Sequence, residues 1–122
     1  GLDSAKIKQQ AKAKADEYKI VYALPSLTSF LYHDPSKDLE QLKLPVLGLF
    51  GGLDLQVPIF QNKDRMENAL LKSGTDYHFI TFENANHFFQ KAKTGKRNEY
   101  ATLEKKFVEG FLNEISSWIL EN

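Results

Sequence analysis

The hydrophobic pattern of the second half of the chain predicts a strand, a helix and a second strand, in that order. Residues 46–50 are apolar throughout, as in a strand that is buried on both faces of a parallel sheet. Residues 77–82 are rich in β-branched and aromatic side chains and predict the second strand. Residues 64–73 have helical spacing, and Gly74 follows as a helix stop. Three apolar side chains of this helix are expected to face inward, namely Met66, Leu70 and Leu71.

The N-terminal segment is predicted to be helical. Residues 3–23 are rich in good helix formers, and Asp3 or Ser4 can cap the first turn. Apolar positions recur there at three- and four-residue spacing, but they form only a thin stripe. Pro25 is expected to end this helix, and residues 27–32 predict a further short helical turn.

A loop and a final helix are predicted at the C-terminal end. Residues 90–98 are polar and basic, which is typical of a solvated loop. From Tyr100 onward apolar residues recur with helical spacing, but Gly110 interrupts the pattern and moves the expected start of the stable helix close to Glu109. The stripe consists of Leu103, Phe107, Phe111, Ile115, Trp118 and Ile119.

These elements together predict an α/β fold in a single domain over residues 1–122. Residues 1–44 are expected to form a helical lead-in segment. Residues 45–122 are expected to form a β-α-β-α unit whose two strands are parallel. A chain of 122 residues has room for one such domain with a core of moderate size.

Composition and charge narrow the classes of function. Hydrophobic residues make up 42% of the chain and charged residues 26%, as in ordinary globular proteins. Lys+Arg and Asp+Glu number 16 each, so no net field favours nucleic acid or an anionic membrane as a partner. The absence of Cys excludes disulfides and Cys-based zinc sites, and it leaves the cellular compartment open. No apolar run approaches the ~20 residues that a membrane-spanning helix needs.

One acid and one imidazole follow the two predicted strands. The first strand is followed by Gly51, Gly52 and then Asp54, and the second is followed by His87. The carboxyl ends of parallel strands lie at one edge of a sheet, so these two side chains are expected to lie close together. The two glycines are expected to adopt positive φ in a tight turn that exposes the carboxylate. Taken singly, Asp54 also fits a turn-forming or capping residue, and His87 also fits a packed ring.

In this order and spacing, the residues resemble the C-terminal portion of α/β-hydrolase-fold serine hydrolases. The branch is the esterase and prolyl-oligopeptidase-like one that is related to dienelactone hydrolase, and the resemblance covers residues 30–120. The matching segments are Phe30-Leu31-Tyr32-His33-Asp34-Pro35, Leu44-Pro45-Val46-Leu47, Gly51-Gly52-Leu53-Asp54-Leu55-Gln56-Val57-Pro58, Asn86-His87-Phe88-Phe89-Gln90, Lys93-Thr94-Gly95, Glu99-Tyr100 and Trp118-Ile119.

The resemblance implies a division of labour within a Ser-His-Asp triad. Asp54 would accept a hydrogen bond from one ring nitrogen of His87, and the other nitrogen would take the proton of a serine hydroxyl. The serine of the family lies in a Gly-x-Ser-x-Gly turn, and no serine of this chain has those glycines. The serines present are Ser4, Ser26, Ser29, Ser36, Ser73, Ser116 and Ser117. The chain is therefore expected to be the C-terminal part of a serine hydrolase, inactive or nearly so alone.

The other candidate residues are interpreted as structural and not as parts of a functional site. His33 lies in a Tyr-His-Asp-Pro turn and His78 lies within a predicted strand, so both are interpreted as structural. The histidines lack the short spacing of metal ligands, so no metal and no cofactor are expected. The basic run at residues 91–97 lacks the glycine-rich strand-to-helix context of a phosphate-binding loop. Apolar lining of a substrate pocket is expected from Leu55, Phe60, Phe88 and Phe89.

Two functional hypotheses follow from the sequence. In the first, the parent protein is a serine hydrolase that acts on a small-molecule carboxylic ester or on a peptide, and this chain carries its acid and its base. In the second, the chain is a non-catalytic, self-associating module derived from a hydrolase core. The first strand would expose an apolar edge, which favours a homodimer that forms through that edge.

Overall fold

The computed structural model describes residues 3–122, and these residues form five α-helices, one short 3₁₀ helix and two β-strands. Residues up to Asp34 make one compact unit, and Pro35–Asn122 make a second. The elements in chain order are α1 (Ser4–Tyr22), α2 (Pro25–Tyr32), α3 (Ser36–Leu39), β1 (Val46–Gly51), α4 (Ile59–Ser73), β2 (Tyr77–Phe82), the 3₁₀ helix (Arg97–Glu99) and α5 (Phe111–Glu121).

The first unit consists of two exposed helices. The side chain of Asp3, one of the two caps that the sequence offered, caps α1 by accepting the N–H of Ala5 at 3.2 Å. No side chain of α1 is buried, which agrees with its thin apolar stripe. Pro25 occupies the first turn of α2, where its missing N–H leaves no hydrogen bond unmade. Within residues 3–122, no helix is both long and apolar enough to cross a membrane.

The second unit contains a parallel two-stranded sheet, which confirms the predicted α/β class. Strands β1 and β2 pair in register from Val46 opposite Tyr77 to Gly51 opposite Phe82. Helix α4 connects the two parallel strands, so the carboxyl ends of both strands lie at the same end of the sheet. The loops that follow β1 and β2 therefore begin side by side.

The prediction that β1 is buried on both faces is wrong. Of its six residues, only Gly48 and Gly51 are buried, and the others are half-buried. Within the described residues β1 pairs with β2 alone, so one of its edges has no strand neighbour. The apolar side chains of such a strand become fully buried only when neighbouring elements cover it on both sides.

Helix α4 begins earlier than predicted, at Ile59 rather than at residue 64. Pro58 occupies the N-cap position with φ −62°, and its carbonyl accepts the side-chain amide of Asn62 at 2.9 Å. The helix ends as predicted at Gly74, whose φ of 68° is left-handed. Leu70 is fully buried, but Leu71 is 61% exposed, which corrects its predicted inward orientation.

Helix α5 begins at Phe111, close to the predicted start near Glu109. Gly110 precedes it with φ 83°, so the helical backbone does not continue upstream. Leu103 consequently lies in a bend and Phe107 in an isolated bridge with Gln90, and not in the helix as the spacing predicted. The ring of Phe111 anchors α5 against the end of β2 and the loops around it. Its aromatic neighbours are Phe82 at 5.7 Å, Phe89 at 4.4 Å and Phe107 at 4.7 Å between ring centroids.

Two adjacent leucines of α4 test this packing. Leu70→Ala is expected to lower the free energy of unfolding by about 2–5 kcal/mol, because it leaves a cavity at a fully buried position. Leu71→Ala is the matched control and is expected to change it by less than about 0.5 kcal/mol, since that side chain is exposed. Urea unfolding followed by the fluorescence of Trp118 measures both changes. Equal losses in the two variants would contradict the packing described for α4.

Candidate functional site

The turn after β1 holds Asp54 by hydrogen bonds along its own backbone. The N–H of Asp54 donates to the carbonyl of Gly51 at 3.0 Å. The Oδ1 atom of Asp54 accepts the N–H groups of Gln56 at 2.8 Å and Val57 at 2.9 Å. One carboxylate oxygen is therefore committed to the turn, and the other oxygen is left for a partner outside it.

The turn after β1 lies directly against the turn after β2. The N–H of Gly52 donates to the carbonyl of Phe82 at 2.9 Å, and that of Leu53 donates to the carbonyl of Ala85 at 2.9 Å. These bonds extend the contact between the two strands beyond the ends of β1 and β2. They tie the residues just before Asp54 to the segment that leads to His87.

Gly51 and Gly52 allow the two turns to approach each other closely. They do not adopt positive φ, which corrects the interpretation from the sequence. Within residues 3–122, the glycines with positive φ are Gly74, Gly95 and Gly110. A Cβ atom on Gly51 would lie 2.7 Å from the carbonyl oxygen of Ala85, and one on Gly52 would lie 2.6 Å from that of Glu83. Any side chain at these two positions would push the two turns apart.

Asn86 shapes the turn that carries His87. Its side chain is fully buried, and its Oδ1 atom accepts the N–H groups of Phe88 at 2.9 Å and Gln90 at 3.0 Å. The backbone N–H of Asn86 also donates to the carbonyl of Gln90 at 3.1 Å. This role of Asn86 was not predicted from the sequence. The available signal was an Asn just after a predicted strand, since Asn side chains commonly accept backbone N–H groups in turns.

The two turns bring Asp54 and His87 into direct contact. The Nδ1 atom of His87 lies 3.0 Å from the Oδ2 atom of Asp54. A carboxylate can only accept, so Nδ1 carries the proton and donates it. The Asp54 side chain is 12% exposed and that of His87 is 34% exposed. Among the described residues the Nε2 atom of His87 has no hydrogen-bond partner, so in the neutral ring its lone pair is able to take a proton.

The surroundings of Asp54 keep it ionised. Burial raises the pKa of the Asp54 carboxyl, but hydrogen bonds from the N–H of Val57, the ring of His87 and the N–H of Gln56 outweigh burial. The positive charge of a protonated His87 acts in the same direction. The net effect lowers the pKa of Asp54 below its ordinary value of 3.8. A negative charge is therefore held beside the ring at neutral pH.

One aromatic side chain, that of Phe88, packs on the ring of His87 and is itself in contact with Tyr100. The ring of Phe88 packs edge-on against that of His87 at 5.4 Å and against that of Tyr100 at 5.4 Å. The hydroxyl of Tyr100 accepts the side-chain amide of Gln56 at 3.2 Å. A depression of about 720 Å³ opens beside these rings. Its apolar lining is Phe88, Tyr100, Phe107, Val108 and Leu112.

The structure divides the four residues that were expected to line a substrate pocket. Phe88 lines the depression. Phe89 does not, because its φ of 53° turns the chain so that its ring packs on Phe82 and Phe111 instead. Leu55 and Phe60 are exposed and do not line this depression. Tyr100 lines it in addition to Phe88 and was not singled out from the sequence for that role.

His78 and the basic loop each have contacts of their own. The ring of His78 stacks on that of Trp118 at 6.3 Å. His33 belongs to the first unit. In the basic loop, the N–H groups of Thr94 and Gly95 donate to the Glu99 carboxylate, so an internal anion already occupies them. This arrangement favours the structural interpretation of the loop over a phosphate site.

The sequence was compared with known families, curated proteins and solved structures. It matches the Dienelactone hydrolase family over residues 4–115, which is most of the chain and includes both turns. No curated protein and no solved structure gives a significant match.

The contact between Asp54 and His87 predicts how Asp54 titrates. The pKa of its carboxyl is expected to lie below 3.8, and His87→Ala is expected to raise it by removing one hydrogen bond and one charge. A carboxyl with a lowered folded-state pKa stabilises the fold above its unfolded pKa, and this contribution is lost as pH falls through the folded value. The loss is therefore expected below about pH 4.

NMR titration of the Asp54 side-chain carboxyl carbon measures this pKa. His78→Ala is the matched control, because His78 contacts Trp118 and not Asp54. The same Asp54 pKa in His87→Ala and in the unmodified chain would contradict the described contact.

Proposed function

Because the chain belongs to the dienelactone hydrolase family, we propose that Asp54 and His87 are the acid and the base of a Ser-His-Asp triad in a serine hydrolase that acts on carboxylic esters. Peptides are a less favoured substrate class. The observation that carries this proposal is the 3.0 Å contact between His87 Nδ1 and Asp54 Oδ2. That geometry fixes the ring tautomer which leaves Nε2 free to accept a proton.

In each half of the proposed reaction, His87 takes a proton from the attacking group and then gives it to the leaving group. As a serine Oγ attacks the ester carbonyl carbon, Nε2 of His87 takes the hydroxyl proton, and the carboxylate of Asp54 stabilises the imidazolium. The imidazolium then gives this proton to the departing alkoxide, which leaves as an alcohol, and an acyl-serine remains. In the second half, water loses a proton to Nε2 and attacks the acyl carbon. The serine oxygen takes that proton back as the acid leaves.

The nucleophile of this scheme is not supplied by the serines of this chain. None of them lies in Gly-x-Ser-x-Gly, the turn that exposes the hydroxyl in this fold. The hydroxyl of Ser73 donates to the carbonyl of Leu70 at 2.7 Å, and that of Ser116 donates to the carbonyl of Asn113 at 3.0 Å. Both hydroxyls are therefore already hydrogen-bonded to the backbone of their own helices. Loss of the nucleophile lowers turnover in serine proteases by about 10⁶-fold, so we propose that the chain alone is nearly inactive.

Hydrolysis of p-nitrophenyl acetate tests the proposed function. The isolated chain is expected to show no turnover above background. A protein that carries this sequence together with a Gly-x-Ser-x-Gly segment in the same reading frame is expected to be active. There His87→Ala should lower kcat/KM by about 10⁴–10⁶-fold and Asp54→Asn by about 10⁴-fold.

The matched control is His78→Ala, which removes a histidine that lies outside the pair and is expected to keep the activity. Turnover by the isolated chain that disappears in His87→Ala would mean that another nucleophile is present. Unchanged activity of His87→Ala in the larger protein would refute the assignment of the base.

A second candidate function, self-association of a module derived from a hydrolase core, is favoured by the edge of β1 that has no strand neighbour within residues 3–122. The N–H groups of Val46 and Gly52 both donate toward the β2 side, to Asp76 and Phe82, at 2.9 Å each. Directions alternate along a strand, so the N–H groups of residues 47 and 49 point to the other edge. An edge of this kind offers a template for pairing with a second copy, and we propose a homodimer that forms through it.

Sedimentation analysis at micromolar concentration tests the homodimer. The chain is expected to sediment as a dimer. Leu49→Pro should shift it toward the monomer, because proline removes an outward N–H and is tolerated at an edge. Circular dichroism serves as the control that the variant stays folded. A stable monomer of the unmodified chain at this concentration would refute the proposal.

A further inference from the structure

The segment from Lys91 to Tyr100 contacts both turns of the candidate site. At its start, Lys91 pairs with Ala85, and the N–H of Ala92 donates to the carbonyl of Asn84 at 2.8 Å. These contacts join the segment to the turn that carries His87. Farther along, Gly95 lies against Leu53, the residue just before Asp54. The segment therefore bridges the turn that carries Asp54, here called the acid turn, and the turn that carries His87, here called the histidine turn.

Gly95 makes the contact with the acid turn. It is buried and has a φ of 71°, and a Cβ atom there would lie 1.9 Å from the carbonyl oxygen of Leu53. No side chain fits at that distance, so any other residue would displace one of the two backbones. Gly74 has a similar φ of 68°, but a Cβ atom there would have no neighbour within 4 Å. The two glycines thus share a backbone conformation and differ in their surroundings.

Glu99 folds the segment so that Gly95 reaches Leu53. Its Oε1 atom accepts the N–H of Gly95 at 2.6 Å and that of Thr94 at 3.2 Å. The Oε2 atom also lies 3.3 Å from the N–H of Thr94. Hydrogen bonds from backbone N–H groups to an ionised carboxylate are stronger than those to neutral acceptors. The carboxylate therefore holds the left-handed turn at Gly95 from inside the loop.

Tyr100 extends the same connection to the two side chains of the site. Its hydroxyl accepts the side-chain amide of Gln56, whose backbone N–H donates to Oδ1 of Asp54. Its ring packs on that of Phe88, which in turn packs on the ring of His87. Two adjacent residues therefore make these contacts. Glu99 binds the backbone of the loop, and Tyr100 contacts Gln56 in the turn of Asp54 and Phe88 beside His87.

We propose that Gly95, Glu99 and Tyr100, together called the brace, are positioning residues that hold the carboxylate of Asp54 within hydrogen-bond distance of the imidazole of His87. In the proposed reaction the brace acts through the positions of Asp54 and His87, and one of its members, Tyr100, also lines the depression beside His87. Its catalytic meaning rests on the proposed function, whereas its effect on the distance between the two side chains does not.

Proton and nitrogen NMR of the full 122-residue chain tests the brace without any enzymatic activity. The proton shared between Nδ1 of His87 and Asp54 is expected to give a low-field signal that is absent from Asp54→Asn. In Gly95→Ala this signal should lose most of its intensity, and the ring nitrogen shifts should move toward those of a mixture of tautomers. Gly74→Ala imposes the same backbone cost without the contact with Leu53, and it should keep the signal.

A second pair of variants decides the question if Gly95→Ala does not fold. Glu99→Ala removes the acceptor of the two loop N–H groups and should weaken the signal in the same way. Glu121→Ala removes an exposed carboxylate at the end of α5 and should leave the signal unchanged. Partial recovery in Glu99→Gln, which restores one acceptor oxygen, would support a positioning role over a general loss of stability.

The brace is refuted if the signal of each test variant equals that of its control, or if the unmodified chain shows no such signal. Failure of the proposed function is a separate outcome. It would appear as missing ester hydrolysis in the larger protein while the low-field signal of this chain persists.

Discussion

The contact between two backbone turns, without side chains between them, is the constraint on which the site depends. Parallel pairing of β1 and β2 brings both strand ends to one edge of the sheet. Gly51 and Gly52 then lie so close to the carbonyls of Ala85 and Glu83 that a single methyl group would not fit. Asp54 and His87 lie a few residues beyond these contacts, so the close approach of the two backbone turns brings their side chains within reach of each other.

Side chains that accept backbone N–H groups build the loops around that contact. Asp54, Asn86 and Glu99 each accept two such groups, and each thereby fixes one turn. An acceptor within the loop pairs these N–H groups in one backbone arrangement, so it favours that loop conformation over others. Asp54 has both roles, since one of its oxygens fixes its turn while the other accepts the proton of His87. These acceptors order the loops although few apolar residues are fully buried among residues 3–122.

Much of the fold and the family was predictable, because the signals concerned are local. The strand at residues 77–82, a cap at Asp3 or Ser4 and the stop at Gly74 each depend on a few neighbouring residues, and all three predictions are confirmed, with Asp3 as the cap. The family is confirmed as well, since its motifs are short and ordered along the chain. The burial of β1 and the orientation of Leu71 depend on neighbours distant in sequence, and those predictions were wrong.

By itself the sequence determined the α/β class, the order of its elements and the placement of an acid and an imidazole after successive strands. These follow from propensity and periodicity, which act over a few residues. Only the tertiary structure decided that the two groups meet at 3.0 Å, that Gly51 and Gly52 permit a close approach, and that Gly95 lies against Leu53. The physical reason is that each of these depends on how closely two separate backbone segments approach, and no pattern along one segment specifies that distance.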